Sequence, residues 1–117
     1  MSIGSLVRAG KILGVGGKAS TFTPSAYSGN KSATTNVSGQ SLPIATGAGK
    51  VRIKNLDSTN FAMVAFGESA SAAEANTADG IVVSAGEETT LGIPDGATHL
   101  AYVGDTATVL LNIVQGV

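Results

Sequence analysis

The residues able to carry chemistry are few. His99 is the only histidine and there is no cysteine. A general base or metal ligand needs convergent partners, and one imidazole between Thr98 and Leu100 has none in its neighbourhood. His99 therefore reads as a structural or interface residue. Glu87 and Glu88 are adjacent, and in a strand adjacent side chains point to opposite faces, so they do not form a carboxylate pair. Asp57, Glu68, Asp79, Asp95 and Asp105 fall in or beside turns, where acidic side chains serve local backbone hydrogen bonding. Gly14-Val15-Gly16-Gly17-Lys18 resembles a phosphate loop, but it lacks the glycine spacing, and Ala19 stands where the hydroxyl should be. No Ser-His-Asp set or nucleophile elbow appears. The expectation is no catalytic residue, no cofactor, no metal and no enzymatic activity.

Composition narrows the partners. Net charge is −1, which provides no overall attraction to nucleic acid or an anionic membrane. Lys50, Arg52 and Lys54 form a basic stripe, read as the solvated face of a strand because no stacking aromatics accompany it. No apolar run approaches the ~20 residues that span a bilayer, and the glycines at 4, 10, 14, 16 and 17 break any signal-peptide core. Charged residues are 13%, against a usual share of about 25%. So sparse a charge, with abundant Ala, Thr and Ser, fits a chain packed against others.

The elements that must position these residues are strands. From Lys50 onward, short apolar or alternating runs are separated by Gly, Asp, Asn, Ser and Pro. Strands are expected over 50–54, 61–66, 80–84, 87–93, 98–103 and 107–114. In the first, Val51 and Ile53 point inward and Lys50, Arg52 and Lys54 outward. The 61–66 run is apolar on both faces, which places it at the centre of a sandwich or under a partner. Residues 68–79 read as an exposed loop with room for one helical turn. Pro94-Asp95-Gly96 reads as a turn.

Before Lys50 the chain is Gly-, Ser- and Thr-rich. Residues 1–48 read as an extended N-terminal arm with one or two strands expected in it, near 33–37 and 40–44, and 49–117 as the β-sandwich domain. Ile3, Leu6, Val7, Ile12 and Leu13 are the arm's apolar residues and the candidate partner contacts. At 117 residues the chain fits one domain, with a core small enough to benefit from docking or self-association. The fold class expected is all-β: a small antiparallel β-sandwich or jelly-roll with an extended N-terminal arm.

Four stretches carry a resemblance: Val51-Arg52-Ile53-Lys54-Asn55, Val64-Ala65-Phe66-Gly67, Ile93 to Ala101 through Pro94-Asp95-Gly96-Ala97-Thr98-His99-Leu100, and Ala107–Val114 with the following Gln115-Gly116-Val117. Through them roughly the last 65 residues, the size of one small domain, resemble small phage and prophage structural proteins encoded among head-assembly genes. The resemblance implies a capsid decoration or cement protein on the outer surface of a virion head. Its partners would be the major capsid protein and other copies of itself, as a dimer or trimer, with no nucleic acid and no membrane. Another virion component (a head fibre base, tail part or receptor-binding module) is the alternative. A carbohydrate-binding sandwich is disfavoured by the absence of Trp.

Overall fold

The computed structural model describes residues 22–36 and 38–117. Among them are eight strands: β1 Pro24–Ala33, β2 Ser41–Pro43, β3 Lys50–Asn55, β4 Ala62–Gly67, β5 Ile81–Val83, β6 Glu88–Gly92, β7 His99–Gly104 and β8 Val109–Gly116. One helix, α1 Ala70–Asn76, and a 3-10 turn, Thr77–Asp79, lie between β4 and β5. The six strands expected after Lys50 are all present, within about two residues of their expected ends. Residues 24–43 contribute two more. The strand expected near 40–44 is present as Ser41–Pro43. The one expected near 33–37 is not formed over 34–36, because it is the preceding run, Pro24–Ala33, that pairs with Val109–Gly116.

Alternation decides which side chains meet. Val51 and Ile53 on β3 face Val109, Leu111 and Ile113 on β8 across one inner surface. Ala62, Val64, Val83, Leu100 and Tyr102 form the opposing one. Val51, Ile53, Val64, Val83, Leu100, Leu111 and Ile113 are essentially sealed from solvent. Each such burial stabilises the fold by about 1.5–3 kcal/mol before conformational entropy is counted. Lys50, Arg52 and Lys54 point away from this core, as the alternation requires.

All pairings are antiparallel, in two four-stranded sheets ordered β1-β8-β3-β6 and β2-β7-β4-β5. The first strand pairs the eighth, the second the seventh, the third the sixth and the fourth the fifth. The chain is thus one long antiparallel ribbon, folded over so that alternate pairs fall in opposite sheets. That topology is an eight-stranded jelly-roll.

The two apolar faces of β4 have a double cause. It is an inner strand of the second sheet, between β7 and β5, and α1 lies across its outer face. The expected exposed loop over 68–79 is therefore corrected. Ser69 caps the helix, its side chain accepting the Ala72 N–H at 3.1 Å. Ala73 and Thr77, four residues apart and so on one helical face, are buried against the sheet. Close docking depends on Gly67: a Cβ there would strike the backbone of Ala73, whose Cα would lie only 2.7 Å away. The Pro94-Asp95-Gly96 turn is present, with the Ala97 N–H donating to the Pro94 carbonyl at 3.2 Å and Gly96 at φ +85°.

Candidate interaction surfaces

The chemistry-bearing residues stay apart in the fold. His99 opens β7, opposite Pro43 on one side and Gly67 on the other, and its Nδ1 lies 2.9 Å from the Thr98 hydroxyl. Among the described residues no three His, Asp or Glu side chains converge on a point that could hold a metal. Glu87 and Glu88 diverge. The former accepts the Ser84 N–H at 2.7 Å to close the β5–β6 turn, while the latter lies 3.8 Å from the Arg52 guanidinium on the outer face of the first sheet. Asp57 caps its own turn, accepting from the Thr59 and Asn60 N–H groups at 2.8 and 3.0 Å. Those backbone hydrogen bonds, Thr59's first, hold its carboxyl below the ordinary value. Ile3, Leu6, Val7, Ile12 and Leu13 lie outside the described residues.

Three buried polar residues, none of them singled out by the sequence reading, bond to neighbouring segments, and two of them join parts distant in the chain. Asn55 is fully buried. Its amide donates to the Asn60 and Val83 carbonyls at 2.9 and 3.1 Å, and its carbonyl accepts the Asp57 N–H at 2.8 Å. It ties the end of β3 to β5 of the other sheet. Gln115 does the same from β8, accepting from Ala45 N–H at 2.7 Å and donating to the Pro43 carbonyl and the Ser28 hydroxyl. Gln40 is bonded to Thr34 through side chain and backbone. Tyr102 faces the core, and burial, followed by the nearby Glu74 charge, raises its phenol above the ordinary value. Glu74 is itself bonded to Ser41 at 2.8 Å.

The two broad faces of the sandwich differ. The second sheet is covered by α1. The first sheet has no element over it among the described residues. Its outer surface reads in cross-strand rows: Tyr27, Val114, Arg52 and Thr90, then Asn30, Asn112, Lys54 and Glu88, with Leu110 beside Leu56 at the end. Tyr27 is 77% exposed, and Leu56 and Leu110 about two-fifths. Arg52 lies under the Phe22 ring, 5.7 Å from its centroid, a cation–π contact. The face is therefore partly apolar and, with three cations against the Glu88 carboxylate, net positive.

Charge is segregated along the chain as well as in space. All seven Lys and Arg lie at or before Lys54, and all eight Asp and Glu at or after Asp57. Lys50, Arg52 and Lys54 stand on the uncovered sheet. Glu68, Glu74, Asp79, Asp95 and Asp105 border the open grooves flanking α1, and among the described residues no Lys or Arg lines those grooves. One groove, of about 360 Å³, runs between Glu68, Ala72, Asn76 and Asp95. The net charge of −1 hides this separation, which a count along the chain makes visible.

No helix among the described residues is long and apolar enough to cross a membrane. No protein family, characterised protein or solved structure matches this chain, so the jelly-roll stands on its own strand pairings.

Proposed function

We propose that this chain is a virion structural protein, a capsid decoration or cement protein that binds the outer surface of a phage head and stabilises contacts between capsid subunits. The observation that carries the reading is the outer face of the first sheet, over which no other element lies among the described residues and where Tyr27, Leu56 and Leu110 stand exposed beside three cations. A sheet face of mixed apolar and charged character suits docking on a broad protein surface better than capture of a small molecule. The resemblance of residues 50–117 to head-associated phage proteins points the same way. In this role the major capsid protein and further copies of this chain are the partners, and the apolar residues Ile3, Leu6, Val7, Ile12 and Leu13 contribute contacts. Many weak contacts repeated over a shell add up to firm attachment.

The test is the copy number of this chain in purified particles relative to the major capsid protein. A ratio near one, or a simple fraction of it, is expected. A handful of copies per particle would instead mark a tail, fibre-base or receptor-binding component, and absence from particles would overturn the reading. Removal of residues 1–17 is expected to weaken capsid binding and shell stability, and unchanged binding would refute the role given to the arm.

A further inference from the structure

We infer that copies of this chain associate head to tail, the basic outer face of the first sheet of one copy seating on the acidic, helix-bearing face of the next. The occupant of this sheet face, over which no element lies among the described residues, is thus a second copy. Three observations lead there. The first is complementarity: Lys50, Arg52 and Lys54, with Glu88 as the one carboxylate among them, leave one broad face net positive, while Glu68, Glu74, Asp79, Asp95 and Asp105 surround α1 on the opposite one. The second is purity of sign. No Lys or Arg follows Lys54 in the sequence, so the acidic face has no nearby cation from its own C-terminal half to neutralise it. The third is apolar content on both sides, with Tyr27, Leu56 and Leu110 on the basic face and Met63, Ala72 and Ala78 in the grooves of the acidic one.

Like faces repel under this arrangement, so a two-fold contact of either face with itself is disfavoured. Opposite faces attract, and their attraction fixes orientation as well as affinity. Because the two surfaces lie on opposite sides of the sandwich, the contact is heterologous. It closes as a ring when the rotation per copy divides a full turn and otherwise continues as a chain. Among the described residues, Phe22 packs its ring on Arg52 and so adds apolar surface to the basic face. The contact needs no capsid and is testable on the isolated protein.

The experiment is sedimentation velocity of the full chain at low and at high salt. Wild type is expected to associate when the Debye length is about 30 Å, near 0.01 M, and to dissociate when it shrinks to about 3 Å at 1 M. Lys50→Glu with Lys54→Glu, and separately Glu68→Lys with Asp95→Lys, should each weaken association roughly tenfold or more, because like charges then meet across the contact. Glu87→Lys, whose side chain points to the β5–β6 turn and away from that of Glu88, should leave it unchanged. An equimolar mixture of the two double variants should associate again, because one retains the wild-type acidic face and the other the wild-type basic face. Wild type that stays monomeric at low salt overturns the inference. So does association that survives reversal of either face, or that is lost equally in Glu87→Lys. A mixture of folded double variants that remains monomeric also overturns it.

Discussion

Replacing Asn55 tests whether a buried polar residue holds the two sheets in register at this end of the sandwich. Asn55→Ala removes three hydrogen bonds at a site with no solvent access. The Val83 carbonyl is buried and loses this partner, at about 1–3 kcal/mol for an unsatisfied buried group. The Asn60 carbonyl and Asp57 N–H lie nearer the surface, where water recovers part of their loss, so the total is about 2–4 kcal/mol. For a folded region of this size that corresponds to a fall in Tm of roughly 10–25 °C. Asn55→Asp is the sharper probe. It keeps the shape and the acceptor, but sets a carboxylate oxygen against the two carbonyls that the amide served. At neutral pH it should destabilise more than alanine does. The buried carboxyl, lacking donors there, has its folded-state pKa raised above the ordinary ~3.9. The penalty is then absent below the unfolded-state pKa and grows as pH rises toward the folded-state one. Stability relative to wild type should therefore recover as pH is lowered from 7 toward 4. Urea unfolding followed by circular dichroism reads both effects. An alanine variant within 1 kcal/mol of wild type, or an aspartate variant no worse than alanine at neutral pH, would refute the reasoning.

Gly67→Ala should cost about 1–3 kcal/mol as α1 is pushed off β4, with faster hydrogen exchange in residues 70–79; unchanged exchange there would contradict the close docking. In a Tyr27→Phe background, absorbance titration should show Tyr102 ionising above its ordinary value of 10.0. Stability should fall as pH climbs past that value, because the unfolded phenol ionises first; ionisation at or below 10.0 would refute the burial argument. Asp57, with its carboxyl held below 3.8, contributes stability that is present above that value and lost as pH falls through its folded-state pKa. Asn in its place keeps an acceptor without the titration, so Asp57→Asn should flatten the acid limb of the pH–stability curve, and an unchanged limb would exclude Asp57 as its source.

What the sequence made legible follows from what period and turn chemistry encode. Val51 and Ile53 against Lys50, Arg52 and Lys54 declare an inner and an outer face, and Pro94-Asp95-Gly96 declares a turn, because each signal is local. Residues 70–76 misled because alanine is at once a good helix former and too small to mark an apolar stripe, so Ala73 looked like its exposed neighbours. The strand at 24–33 was obscured by Ser, Gly, Asn and Lys. It is an edge strand largely open to solvent, and its identity comes from β8, more than 75 residues away. Asn55 and Gln115 gave no signal at all, since their value lies in carbonyls and amides brought near only by folding. The proposed self-association surface was half visible: the basic stripe was in view, but its opposition to an acidic face requires knowing that the second sheet turns its back on the first.

The ribbon-like pairing also governs how this chain can reach its native state. Its first strand bonds to its eighth and its second to its seventh, so the contacts are dominated by large sequence separation, the condition for slow folding. Until β8 is present, β1 has no partner and β3 lacks one of its two neighbours, while Val51 and Ile53 remain open to water. A chain emerging in order from the ribosome therefore spends most of its synthesis with unpaired strand edges, the state most prone to sticking to other copies. Any mutation in 109–116 acts on the completion of the whole sandwich, and truncation before Val109 should yield aggregate in place of a smaller domain.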